Sequence, residues 1–351
     1  MAQYSSELLK KEDEGMYTEF LQKHSHYLEH TLHWREILQK NFSFTPLHLV
    51  AKNEMGEIKA LLPLFEAKSV LFGKRIVSTP YSMYTEIIAE EQEAAQKLYH
   101  HARKLAVERN ANYLEIRSKQ EIPALEKAGF TVKKDFTNFY LDLRQGLEEI
   151  WKQFPRSLRM GIKKAVKEGL TIREDNSKSG LDILYRLFLN TRKYRGVPAY
   201  PYQMFEDIMS SFSKEAKILV VEQNGTPVVA GLFYFYNDTV RYAYVGARHE
   251  ESVSSMKPYY LLLWEAIKTA SRKGYATLDY GGATPATNDG GLYAFKEQWS
   301  NKRAVINSYF SLNKSKTIPD QNTFTLASTV WKKIPLPIIK AVSPLVIKQF
   351  V

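Results

Sequence analysis

Unusual residue types concentrate between Leu278 and Ser300, LDYGGATPATNDGGLYAFKEQWS. Two glycines leave an apolar strand, small and polar residues follow, two more glycines come next, and Lys296 then stands between Phe295 and Trp299. Gly281, Gly282, Gly290 and Gly291 permit positive φ and close backbone approach, which the core of a domain rarely needs. A long surface loop is the plain alternative. Asp279, at the strand's end, is either an acceptor that organises this loop or a group that touches a substrate.

Other constellations are electrostatic. RSLRMGIKKAVKEG places Arg156, Arg159, Lys163 and Lys167 within a few turns of a helix, with Leu158, Ile162, Ala165 and Val166 at core spacing. Such a strip suits phosphate, or is simply solvated. Arg195, in YRGVP, joins it. His24, His26, His30 and His33 include HYLEH, which matches the zinc-peptidase pattern H-x-x-E-H. That pattern needs a third ligand on a later helix in a suitable fold, whereas this chain is rich in strand meanders, so packing or surface histidines and no metal are expected. No Ser-His-Asp order stands out, and no carboxylate pair marks a glycosidase. The chain has no cysteine, which removes thiolate nucleophiles, thiolate metal sites and disulfides. Catalysis by positioning is the chemistry left.

The elements that must do the positioning belong to a globular chain. Its 351 residues, 44% hydrophobic and 25% charged, suffice for roughly two domains. The formal charge of +11, from 49 basic and 38 acidic residues, favours polyanionic partners such as tRNA, nucleotide-linked substrates or an anionic membrane face. The N-terminal MAQYSSELLKKEDEG lacks an apolar signal core, and no uncharged apolar run approaches the ~18 residues of a membrane span, so a cytoplasmic location is expected.

KILVVEQ, TPVVAGLFYFY and TVRYAYVG are β-branched and aromatic runs parted by Asn224-Gly225 and Asn237-Asp238, which predicts an antiparallel meander. KPYYLLLWEAIKTASRKG then predicts a helix opened by Pro258 and stopped by Gly274, with Tyr260, Leu263, Trp264 and Ile267 at helical spacing. YATLDYGG is a buried strand. In the first half LHLVAKNEMGEIKALLPLF predicts strand, turn and strand, EAAQKLYHHARKLAVERN a helix and ANYLEIR a strand. ARKLAVERNANYLEIR and AIKTASRKGYATLDYG share helix, turn and acidic strand, which implies two copies of one α/β unit. The division expected is 1–145, 146–315 and a tail, 316–351. In the tail, Ile338, Val342 and Leu345 fall on one side with Lys332, Lys333, Lys340 and Lys348 around them, as in an interfacial membrane helix broken near Pro344 or an ordinary docking helix.

Taken together, ALLPLFEAKSVLFGKRIVSTP, RSLRMGIKKAVKEGL, YRGVPAYPYQMFEDI and LDYGGATPATNDGGLYAFKEQW resemble, in order and spacing, the Fem family of aminoacyl-tRNA-dependent peptidyltransferases, in the branch found beside polysaccharide biosynthesis. The resemblance runs from Leu47 to Phe310. It implies an α/β (α+β) fold of tandem GNAT-like domains, each a mixed, mainly antiparallel sheet flanked by helices. It also implies aminoacyl transfer, without a bound cofactor, from aminoacyl-tRNA to an amine of a cell-wall or polysaccharide precursor. The family's Phe-Lys step matches Phe295-Lys296, which makes Lys296 the group facing the oxyanion. Asp279 is its candidate catalytic companion, and Arg156, Arg159, Lys163, Arg195, Tyr260, Gly281, Gly282 and Phe295 are the candidate substrate contacts. One departure is Tyr81, Ser82, Met83 and Tyr84, where many relatives have paired glycines after the proline. An acyl-CoA donor acting on a nucleotide sugar is the first rival. The glycine-bearing pyrophosphate turn that CoA enzymes place before the helix is replaced here by ARHEESVSSMKPYY, which counts against it. A non-catalytic module binding a polyanionic glycolipid is the second.

Overall fold

The computed structural model describes residues 4–70, 72–78, 80–285, 290–315, 317–318 and 325–350. Two compact units emerge: Met1–Phe136 with Val305–Gln321 and Leu345–Val351, and Thr137–Ala304 with Asn322–Pro344. The first boundary lies before 145/146 because the second half of one long strand, Thr137 to Asp142, pairs inside the second unit, and the stretch up to 315 is divided because Asn307 to Leu312 pairs inside the first.

In the first unit the chain runs through β1 (Ser5–Leu8), α1 (Glu14–Lys23), α2 (Leu32–Phe42), β2 (Thr45–Pro46), β3 (Leu49–Lys52), β4 (Ile58–Leu62), β5 (Phe65–Ser69), β6 (Gly73–Val77), β7 (Ile88–Ala89), α3 (Gln92–Glu108), β8 (Tyr113–Ser118) and α4 (Pro123–Lys127). One sheet has the order β1-β3-β4-β7, and β2, β5, β6 and β8 are neighbours in another. Ala94, Leu98, Ala102 and Leu105 repeat every three or four residues along α3 and are buried, which fixes the helix on β3 and β4. Tyr81, in the place of the expected glycines, takes φ +63. A non-glycine there costs about 1–2 kcal/mol. Its hydroxyl donates to Ile347 O (3.0 Å), and the nearby aromatic rings of Phe42 and Phe44 help hold it.

The second unit contains β9 (Thr131–Asp142, from Thr137), α5 (Leu147–Gln153), α6 (Arg156–Lys167), β10 (Leu170–Glu174), α7 (Lys178–Arg195), α8 (Tyr202–Ser211), β11 (Ala216–Gln223), β12 (Thr226–Tyr236), β13 (Thr239–Ala247), α9 (Glu251–Ser255), α10 (Pro258–Arg272), β14 (Thr277–Ala283) and α11 (Gly290–Trp299). Strand order is β10-β11-β12-β13-β14-β9, with β13 and β14 parallel and the other pairs antiparallel. β12 is central, buried from Val228 to Phe235, as its unbroken apolar run requires. On α6, Leu158, Gly161, Ile162 and Ala165 form the buried stripe, whereas Val166 is exposed: one position further round the helix, it leaves the stripe. Gly161 lies under the Tyr260 ring, which a Cβ would meet at 2.6 Å. β15 (Lys302–Leu312) returns to the first unit, pairing with β8. α12 (Thr325–Lys333) and α13 (Leu336–Ile347) follow, so the tail is helical.

The two predicted copies are both present. Each is strand, helix and parallel strand, β6-α3-β8 and β13-α10-β14. Asn110 and Gly274, at equivalent points after the helix, both take the left-handed conformation, φ +61 and +79. The expected class, mixed and mainly antiparallel sheets flanked by helices, is the one found.

Candidate active site in the second unit

The parallel ladder between β13 and β14 has three rungs, Thr239↔Thr277, Val240↔Leu278 and Arg241↔Asp279. Beyond the last rung each strand shifts register against its outer neighbour. β13 does so against β12 at Ala243, where Leu232↔Tyr244 is followed by Phe233↔Tyr242, and β14 does so against β9 between Asp279 and Gly281. A bulge bends and twists its strand. Two bulges just past a final rung turn the strands apart and open a split between their C-terminal halves.

The first unit has the same ladder, Arg75↔Tyr113, Ile76↔Leu114 and Val77↔Glu115, again ending on an acidic residue. There the next position but one is Arg117. Its guanidinium bonds Glu115 Oε1 (2.5 Å) and Ser82 O (3.4 Å), and its N–H donates to Ser78 Oγ (3.0 Å). The equivalent position in the second unit is Gly281, with φ +73, where a Cβ would touch only Lys296 Nζ, at 3.5 Å. In the first copy the strands stay bridged past the last rung and the arginine pairs with its own acid; in the second the glycine leaves its place to a lysine.

Lys296 arrives on a helix, not the loop expected from four glycines: Gly290 and Gly291 form the first turn of α11. The glycine pair reads as a turn because its type permits many conformations, and the helix wins through Trp299, fully buried against Phe154 and Tyr260 at ring distances of 5.4 and 5.7 Å. Phe295, one turn earlier, meets Tyr260 at 5.9 Å and Tyr259 at 6.3 Å. With that face anchored, Lys296 is half-buried and its ammonium donates to Gly282 O at 2.8 Å. The residues between Ala286 and Asp289 lie outside the described residues.

Asp279 is 1% exposed. Oδ1 accepts from Asn138 Nδ2 and from the Gly281 N–H, both at 2.7 Å, and Oδ2 lies 3.3 Å from Arg241 Nε. These contacts lock the bulge and the left-handed Gly281, so Asp279 acts on the site through the backbone that carries Gly282 O.

On the β13 side, Gly246 lets α7 approach: a Cβ there would sit 2.0 Å from Phe188 N. That approach lets Thr191 Oγ1 accept the Ala247 N–H and contact His249 Nε2, both at 2.9 Å. Tyr194 stacks on His249 at 4.2 Å. Burial pushes the Tyr259 hydroxyl up to about 12, against the pull of Arg195 and a hydrogen bond with Thr191. Burial also raises Tyr242, with Tyr259 adding to it and Arg195 opposing. His249 is lowered by burial and by the same arginine. The charge of Arg195, exposed at the end of α7, is thus felt by Tyr242, His249 and Tyr259.

Of the residues expected in the site, the fold gathers Asp279, Gly281, Gly282, Phe295 and Lys296 at the split and sets Arg195 near Tyr259, which touches Phe295. Tyr260 packs α10 onto α6 and serves as support. Arg156 and Lys163 are exposed on α6 and Arg159 is half-buried, giving a basic face outside the split. Sequence reasoning missed Asn138, Thr191, Arg241, Tyr242, His249 and Tyr259. Arg241 alone gave a signal, as a charge inside the apolar run TVRYAYVG. Of the four clustered histidines His30 is a packing residue: it is 1% exposed, with Nδ1 taking the Tyr27 N–H (3.1 Å) and Nε2 beside Glu86 O (2.8 Å).

Residues 152–297 match the family described as Acetyltransferase (GNAT) domain. The chain is 23% identical over 144 residues to the UDP-N-acetylmuramoylpentapeptide-lysine N(6)-alanyltransferase of Weissella viridescens, a match over 41% of this chain and 42% of that relative. The match thus spans less than half the length of the curated relative. Over its length the chain is similar in fold to the crystal structure of FemX, with TM-score 0.69, 15% identity, and coverage of 92% of this chain and 100% of that one. It is also similar to the C-terminal domain of a putative lysylphosphatidylglycerol synthetase from Agrobacterium fabrum, with TM-score 0.58, 12% identity, and coverage of 94% and 96%.

Proposed function

We infer, for a chain with a GNAT domain and a fold similar to that of FemX, that its second unit moves an aminoacyl group from aminoacyl-tRNA to an amine of a cell-wall or polysaccharide precursor. The observation that carries this reading is Lys296, tethered 2.8 Å from Gly282 O where β13 and β14 part. The acceptor amine attacks the ester carbonyl, forming the C–N bond. The C–O bond to the tRNA ribose breaks, and the leaving oxygen takes up the proton that the amine gives up. Between these events the carbonyl oxygen carries negative charge, and a fixed ammonium stabilises that state more than the ester. No enzyme nucleophile is needed, in keeping with the absence of cysteine. Holding donor and acceptor in line supplies the rest.

Two features favour tRNA over CoA as donor. The turn before α10, where a CoA pyrophosphate would need backbone donors, has no glycine and carries exposed Glu250 and Glu251. α6 presents Arg156, Lys163, Lys164 and Lys167 to solvent, a strip suited to a polynucleotide backbone. This reading places the protein in the cytoplasm, with an anionic membrane face within reach. Incubating the pure chain with labelled aminoacyl-tRNA and, separately, labelled acetyl-CoA tests the donor. Retention of the tRNA is expected; retention of acetyl-CoA selects the CoA enzyme, and retention of neither selects the binding module.

A further inference from the structure

α13 is apolar on two opposite sides. Ile339, Ser343 and Ile347 recur every four residues and are buried, at 0%, 0% and 5% exposure. The other side, Ile338, Ala341, Val342 and Leu345, follows the three-and-four spacing of one helix face and is exposed, Ile338 at 51% and Leu345 at 63%. A surface helix ordinarily turns charged residues outward, and one apolar all round is ordinarily covered. Here one side is covered and the other is not. The charge pattern is equally one-sided: from Gln321 to Val351 the chain has Lys332, Lys333, Lys340 and Lys348 and no acidic residue. Lys332, Lys333 and Lys340 are exposed. At 100° per residue, Lys348, just past the helix end, falls at the border of the aliphatic stripe on the side of Pro337 and Pro344, whereas Lys340 lies about 100° beyond it.

We propose that this face of α13 seats the chain on an anionic lipid surface, lying in the plane of the membrane. Ile338, Val342 and Leu345 enter the boundary between headgroups and acyl chains while the lysines meet lipid phosphates. The occupant follows from an exposed aliphatic stripe carried by a segment, α12 to the C-terminal lysine, whose charged residues are all lysines. An RNA backbone would partner the lysines and leave the aliphatic stripe in water; a lipid surface accommodates both. The helix is too short to cross a bilayer, and no described helix is long and apolar enough to do so. The inference goes beyond the transfer reading and stands without it.

The test is sedimentation of the full chain with vesicles of phosphatidylcholine alone and of phosphatidylcholine mixed with phosphatidylglycerol. The mixed vesicles should bind the protein more tightly, and added salt should weaken the binding. Ile338→Ser with Val342→Ser and Leu345→Ser should reduce it at least tenfold, and each of Lys332→Gln and Lys333→Gln by about fivefold. The substituted side chains are exposed, so the thermal transition should stay in place and serves as the control for folding. Equal binding to both vesicles, no binding to either, or triple-serine binding like wild type with an unchanged transition overturns the proposal. So does a wild-type dimer that the serine variant turns into a monomer without any vesicle binding, since the face would then be covered by a second copy.

Discussion

The ammonium of Lys296 owes its position to a neighbour with no side chain. Gly281 sits at φ +73 in the bulge of β14, and its N–H is held by Asp279. Gly281→Ala should destabilise the unit by about 1–2 kcal/mol, read by chemical unfolding, and should lower transfer as Gly282 O shifts. An unfolding midpoint equal to wild type would mean that the left-handed conformation is not required. Asp279→Asn should lower turnover and stability together, because it keeps the Oδ1 acceptor but removes the charge facing Arg241 and puts an NH2 donor against that guanidinium. Elsewhere, burial lowers the imidazole of His48 from its ordinary 6.5 to about 3, with Arg35 pushing the same way. The unfolded chain therefore binds a proton below about pH 6.5 that the folded chain refuses until about pH 3. The stability this gives is complete above pH 6.5 and is lost as pH falls towards 3. Comparing wild type with His48→Gln over that range should show the slope in wild type and about one proton less of it in the variant.

Elements make steeper demands. Gly246 lies under the backbone of Leu187 and Phe188, so Gly246→Ala should cost about 3 kcal/mol or more by driving α7 off β13. Gly291, inside α11 with nothing within 4 Å of a Cβ, should accept alanine and gain about 0.5–1 kcal/mol. Equal melting shifts for the two would contradict the packing described. Arg159→Ala with Lys163→Ala should weaken tRNA binding and flatten its salt slope by about two, with little change in melting temperature. These elements also mark what was legible in the sequence. Meander, crossover helix and acidic strand announced themselves twice, because burial imposes period two on strands and three to four on helices. The bulges at Ala243 and Tyr280 did not, since register is settled between strands and leaves no local residue pattern. The Gly290-Gly291 pair misdirected the reading to a loop because the anchor that makes it helical, Trp299, acts through tertiary contacts.

For the whole molecule, the duplicated ladder is the organising feature. Each copy ends its parallel rungs on an acid, Glu115 or Asp279, and two residues later one has an arginine bonded to that acid and the other a glycine beside the Lys296 ammonium. The proposal that the second unit carries the chemistry rests on that contrast, which was present in the aligned segments as Arg117 against Gly281. Its meaning depended on knowing that the strands part there. The central claim is that the second-unit split transfers an aminoacyl group with Lys296 facing the oxyanion. The most direct measurement is single-turnover transfer from labelled aminoacyl-tRNA to a cell-wall precursor amine, with donor saturating, in wild type and Lys296→Ala. The account predicts product from wild type, a ten- to thousandfold slower rate in the variant, roughly the range for losing one oxyanion-stabilising group, and unchanged donor affinity and melting temperature. A variant that transfers at the wild-type rate with the same donor bound would contradict it.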